Sequence, residues 1–203
     1  MDINNVYLAS NDVGFNQLRL EVLGALTDQL SPKLTYHTVD HTEGVLADAI
    51  IIAAHESVAP EELMKIKIAA LCHDTGFMFT YQNHEEVSCD YAQKILPKYG
   101  ISDIDMTHIC EMIMTTKIPQ SPKDHCGQIL ADADLAYLGT DTYQKISGLL
   151  FDEIKHFNPL FDLQSWIDIQ IKFLTQHQYF TAYCIQQKSE IKNTHLRGLM
   201  NIK

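Results

Sequence analysis

The chain is punctuated throughout like a string of helices, and no stretch of it alternates like a strand. Phe15, Leu18, Val22, Leu23, Leu26 and Leu30 recur at three- and four-residue steps, the period of a helix that buries one face. Ser31-Pro32 interrupts that run, as proline does. Val45, Leu46, Ala49, Ile52 and Ala53 repeat the stripe over about 38–57. Pro60 suits a first helical turn, with Glu61 and Glu62 at its positive end, and Leu63, Ile66, Ala70 and Leu71 carry that helix to 73–74. Asn83 with Glu86 predicts the capped start of a fourth helix to about 96, and Ser102 with Asp105 that of a fifth to about 116. A sixth helix is expected over about 126–138, stopping at Gly139, and a seventh over about 142–157, ending at Asn158-Pro159. From about 162 two more follow, broken near His177. The expected fold is all-α: one domain over 1–203, a bundle of eight or nine helices.

Composition narrows the class. The chain is 46% hydrophobic and 20% charged, enough to fill a core, and no apolar run approaches the roughly 20 residues of a membrane span. Met1-Asp2-Ile3-Asn4-Asn5 lacks the basic flank of a secretory signal. The five cysteines include no Cys-x-x-Cys pair, which argues against a disulfide framework or a thiolate zinc site. A reduced, cytoplasmic setting is expected. The net charge of −11 disfavours nucleic acid as a partner, whereas a small phosphorylated substrate stays compatible if a metal supplies local positive charge. The mixed charges of the last helix (Lys188, Glu190, Lys192, Arg197) fit an oligomer as well as a monomer.

Three stretches carry chemistry. His73 and Asp74 end an apolar helix before Gly76, and imidazole nitrogen and carboxylate oxygen suit a divalent metal. At a helix end, both can turn toward one ion. His37 and His41 are one helical turn apart, as two ligands or as a ligand and a proton donor. Asp132 and Asp134 lie in an otherwise apolar helix, where an unpartnered buried carboxylate costs several kcal/mol. Being roughly 200° apart on the wheel, they cannot both face the same side.

In chain order these are a histidine at 37 or 41, the doublet at 73–74 and an aspartate at 132 or 134. The pattern resembles the HD superfamily of metal-dependent phosphohydrolases, whose signature is H…HD…D, over about 36–139. Further likeness at Asn83-His84-Glu85-Glu86-Val87-Ser88, Thr116-Lys117-Ile118-Pro119 and Asp132-Ala133-Asp134-Leu135 is to its branch of predicted phosphohydrolases. The resemblance implies an HD domain with its metal core at about 36–139 and the helices of 140–203 completing the bundle. It implies one divalent ion held by His41, His73, Asp74 and Asp132, with Asp134 as the alternative to Asp132. Mn, Fe, Co, Ni, Mg and Zn are not distinguished by such donors. Tyr36-His37 and His41 are similar to the cyclic-nucleotide phosphodiesterase pattern, which makes His37 the candidate general acid, with His84 as a second choice. Asp74 would also orient the attacking water, and Lys117 would neutralise a phosphate oxygen. Glu85 is a candidate partner for a ligand imidazole, and Phe77, Phe79 and Tyr81 are candidates for a pocket wall. Dinuclear branches add histidines between the doublet and the last aspartate. Here Met114-Thr115-Thr116-Lys117 has none, so a second metal is not expected and His108 reads as an ordinary helix residue. The expected activity is hydrolysis of a small phosphate ester, a nucleotide or cyclic nucleotide. The alternatives are an iron-dependent oxygenase and a non-catalytic metal- or nucleotide-binding module.

Overall fold

The computed structural model describes residues 12–202. The amino-terminal residues read above as lacking a signal, and both ends of the expected 1–203 domain, lie outside that range. Nine α-helices make up the described part: α1 (Asp12–Gln29), α2 (Val39–His55), α3 (Pro60–Cys72), α4 (His84–Ile95), α5 (Asp103–Thr115), α6 (His125–Asp134), α7 (Tyr143–Phe157), α8 (Leu163–Gln176) and α9 (Ala182–Ile202). Short 3-10 turns occupy Thr75–Met78, Leu96–Tyr99 and Ala136–Gly139. No strand occurs among the described residues, and no helix is long and apolar enough to cross a membrane.

The centre of the bundle is α3, whose Ile66, Ile68, Ala69, Ala70, Leu71 and Cys72 are fully excluded from water. It packs against α2, α5 and α6, and α9 closes over α8 and the 136–139 turn. Truncating Ile66 or Leu71 to alanine would cost about 2–5 kcal/mol in lost burial and cavity formation.

Local signals explain four of the helix starts. The side chains of Thr38, Ser102, Asp124 and Asp162 accept backbone N–H bonds from His41, Asp105, Gly127 and Ser165, which satisfies donors that have no partner inside the helix. Asn83 holds the expected N-cap position of α4 but not the expected bond. It sits in the left-handed region at φ 54° and makes no cap bond. Its amide oxygen and Glu86 are both taken by Lys117, a partner too distant in sequence for a capping pattern to foresee.

Two glycines matter through close approach. A Cβ on Gly76 would lie 2.0 Å from the carbonyl oxygen of His84, and one on Gly139 would lie 2.4 Å from Cβ of Lys188. The first contact brings the start of α4 against the 75–78 turn, and the second seats α9 on the 136–139 turn. The sixth helix ends earlier than expected, at Asp134, because Leu135 leaves the helical region at φ −107°, ψ 17°. Asp134 is thereby a terminal residue of α6, next to a change of chain direction.

Candidate metal centre

Two helix ends and one helix start converge on one point. α3 ends so that His73 is its C-cap and Asp74 begins the next turn. The Nδ1–H of His73 donates to the carbonyl of Ala70 at 2.8 Å, which leaves Nε2 as the nitrogen available to a ligand. Thr38 caps α2 and so fixes the first turn that carries His41. Asp134 arrives from the end of α6.

The separations are uniform. His41 Nε2 lies 3.4 Å from His73 Nε2, 3.2 Å from Asp74 Oδ2 and 3.3 Å from Asp134 Oδ1. His73 Nε2 lies 3.2 Å from Asp74 Oδ2 and 3.6 Å from Asp134 Oδ1. His41 Nε2, His73 Nε2 and Asp134 Oδ1 form a triangle with sides of 3.3–3.6 Å, and a point just off its plane lies about 2.1 Å from each, the bond length of a divalent transition metal to nitrogen and oxygen. Asp74 Oδ2 is buried and makes no well-aligned hydrogen bond, its nearest polar neighbours being the two Nε2 atoms at 3.2 Å, an arrangement that a cation between these atoms would satisfy. The donor set and its spacing therefore fit a divalent metal.

Without a metal the four groups compensate one another as ions. Burial opposes charging the histidines, yet the two carboxylates raise His41 to about 9 and raise His73 well above its usual value. Burial likewise opposes charging the acids, yet the imidazoles draw Asp74 far below the carboxylate range and Asp134 to about 2. Two positive and two negative groups thus balance within one small volume.

A cavity of about 290 Å³ opens beside the cluster, reaching Asp74, Asp134, His37 and His84 at one end and Leu138, Trp166 and Phe173 at the other. Its described lining contains no lysine or arginine. His37 is held by Glu153: Nδ1 lies 2.5 Å from one carboxylate oxygen, while the other accepts the backbone N–H groups of Tyr36 and His37 at 2.9 and 3.1 Å. Glu153 is completely buried on α7. Burial pushes its pKa up, but His37 and those N–H groups outweigh this and hold it below the ordinary value. The sequence reading passed over Glu153, although an acid three and four residues beyond Leu150 and Leu149 sits on the apolar stripe of its helix.

Of the expected ligands, His41, His73 and Asp74 are brought together, and Asp132 is not. The carboxylate of Asp132 accepts the backbone N–H groups of Phe180 and Thr181 and the Thr181 hydroxyl, at 2.7–3.2 Å. The alternative, Asp134, occupies the cluster. His84 stands beside it, with Nε2 3.5 Å from Asp74 Oδ1. The buried Glu85 lies near His84, at 3.7 Å, and is not paired with a ligand imidazole. Lys117 is engaged by Glu86 and Asn83 and does not line the cavity. Phe77 is buried and stacks on both His37 and His84, with ring centroids 4.0 and 3.9 Å apart. Phe79 lies largely exposed against Tyr91, and Tyr81 donates its hydroxyl to Glu153 at 3.2 Å. Only Phe77 shapes the site directly, as a spacer between two histidines.

Comparison with known proteins bears on the domain and the fold. A model of the HD domain matches residues 38–136, a span that contains all four clustered side chains. No curated protein sequence matches the chain. Two solved structures share its fold. A predicted HD superfamily hydrolase from an uncultured Thermotogales bacterium is 20% identical with TM-score 0.60, over 90% of this chain and 89% of the other. Bacillus subtilis YpgQ, solved in complex with ADP, is 19% identical with TM-score 0.64, over 94% of this chain and 95% of that one.

Proposed function

The chain belongs to the HD superfamily through its domain at residues 38–136, and on that premise we propose that it is a metal-dependent phosphohydrolase acting on a small nucleotide. The observation that carries this reading is the convergence of His41, His73 and Asp134 at metal-ligand separations, with Asp74 Oδ2 3.2 Å from both imidazoles, beside the cavity. A divalent ion bound there would acidify a water and polarise a phosphoryl oxygen. In this reading the four side chains are its ligands, and a single ion suffices.

The other residues have separate tasks. Glu153 fixes the orientation of the His37 ring and occupies its Nδ1. Nε2 of His37 is then the position from which a proton passes to the departing alkoxide oxygen, the usual work of a positioned histidine. His84, touching the second oxygen of Asp74, orients that carboxylate and stands as the second proton donor. The apolar cavity wall of Leu138, Leu150, Trp166 and Phe173 excludes water and offers a flat, hydrophobic seat for a base. The ADP in YpgQ supports a nucleotide. The cavity lining has no cationic side chain, so the charge complement to phosphate rests on the metal centre and on the histidines.

The test is a panel of nucleoside mono-, di- and triphosphates, cyclic nucleotides and simple phosphomonoesters, assayed with Mn, Fe, Co, Ni, Mg and Zn. The expected result is metal-dependent release of phosphate or of a nucleoside monophosphate, abolished in Asp134→Ala. Metal-loaded protein that turns over none of the panel would overturn the reading, as would turnover that survives in Asp134→Ala.

A further inference from the structure

A second group of metal-type donors lies elsewhere on the bundle, where the first turn of α3, the middle of α5 and the start of α6 meet. It shares no residue with the centre described above. Glu62 Oε2 lies 3.3 Å from Cys126 Sγ and 3.7 Å from His108 Nδ1, and the three ligand atoms lie within 4.8 Å of one another. We propose that Glu62, His108 and Cys126 form a peripheral site for a zinc-class divalent ion that ties these three helices together.

The chemistry of the donors selects the class. Thiolate and imidazole together favour zinc-like ions over magnesium or calcium, which prefer oxygen. Bonds of about 2.3 Å to sulfur and 2.0–2.2 Å to nitrogen and oxygen place neighbouring ligand atoms of a tetrahedral ion roughly 3.3–3.7 Å apart, the spacing found around Glu62. Three protein ligands leave the fourth position to water.

The surroundings support the same use. The other ring nitrogen of His108, Nε2, lies 2.6 Å from Asp124 Oδ2, the carboxylate–imidazole pairing that orients a ligand histidine. Asp124 is itself anchored, because its second oxygen caps α6 by accepting the N–H of Gly127 at 2.7 Å. Lys65 Nζ lies 2.5 Å from Glu62 Oε1 and 3.6 Å from Asp105. Its charge is met by two acids, and it occupies the Glu62 oxygen that faces away from Cys126 and His108. The site was invisible in the sequence because its ligands stand 46 and 18 residues apart (62 to 108, 108 to 126), with no paired-cysteine spacing.

Cobalt(II) added to reduced full-length protein tests the proposal, because the site at His41 and His73 has no sulfur. A near-ultraviolet sulfur-to-cobalt charge-transfer band should appear, persist in His73→Asn and vanish in Cys126→Ser. His108→Gln should weaken cobalt binding at this band by about tenfold or more, a second readout should Cys126→Ser fail to fold. Absence of the band at saturating cobalt overturns the proposal, and so does a band that survives Cys126→Ser in protein of native circular dichroism. Either result leaves the hydrolase reading untouched, since that rests on other residues.

Discussion

Asp132 and Asp134 are two residues apart on one helix, and they lead opposite lives. Asp132 is wholly buried and faces neutral donors: two backbone N–H groups and a hydroxyl from residues 180 and 181. Burial dominates there, and its pKa rises despite those bonds. Asp134 faces His41 and His73, which overcome its burial and pull it to about 2. A carboxylate met by neutral groups serves as a clamp, here pinning the start of α9 to α6. A carboxylate met by imidazoles forms part of a site that can exchange protons for a metal. The kind of partner, more than the depth of burial, separates structure from chemistry in this bundle.

The sharpest way to break that contrast is to exchange the two losses. Asp134→Ala should lower metal-dependent turnover by well over about 100-fold, beyond the range typical of groups that only support a ligand, and leave the fold intact by circular dichroism. Asp132→Ala should retain the centre but leave the N–H donors of half-buried Phe180 and buried Thr181 unpaired. At about 1–3 kcal/mol for each such group, the protein should lose about 2–6 kcal/mol in denaturant unfolding. If Asp132→Ala removes activity at native stability, the clamp assignment is wrong.

The pH dependence of metal-free protein sharpens the comparison. His41 is raised from 6.5 to about 9 in the folded state, so its stabilising contribution is complete below 6.5 and disappears as pH rises through about 9. Asp134 is lowered from 3.8 to about 2, so its contribution is complete above 3.8 and disappears as pH falls through about 2. These two groups therefore contribute most between about pH 4 and 6.5, which urea unfolding of chelator-treated protein can check. A metal needs the neutral imidazoles, so the extra stability it confers should instead grow from pH 6 to 9. Equal metal stabilisation across that range would count against His41 as a ligand.

Smaller effects are expected further out. Glu153→Gln keeps an oxygen for the N–H groups of Tyr36 and His37 but removes the charge beside the His37 ring. A loss of about 10- to 100-fold in kcat with KM little changed, together with an altered pH–rate profile, is the expected outcome. Lys117→Ala touches an exposed ion pair with Glu86, and such pairs contribute little. Activity and unfolding midpoint should match the parent within error.

Much of this was legible in the sequence. Apolar spacing and the Ser102 and Pro60 signals located the helices, since those features act over a few residues, whereas Gly139 marks the end of a separate turn beyond α6. The doublet at 73–74 and the histidine at 41 were legible because each sits at a helix boundary. The choice between 132 and 134 was not. The helical wheel shows that they diverge, but which side meets His41 depends on α9 arriving from 48 residues away to occupy Asp132. Glu153 escaped for the same reason: its partners are at 36 and 37, across 117 and 116 residues. Asn83 does stand at the N-cap of α4, but the local cap bond is absent, and Lys117, just past the end of α5, engages both Asn83 and Glu86.

Manganese(II) binding, followed by electron paramagnetic resonance in Asp132→Asn and Asp134→Asn side by side, tests the central claim most directly. Manganese is an oxygen- and nitrogen-preferring ion, so it reports the HD centre and not the sulfur site. The account predicts that Asp132→Asn binds it like the parent while Asp134→Asn loses it. Loss in Asp132→Asn with retention in Asp134→Asn would contradict the account.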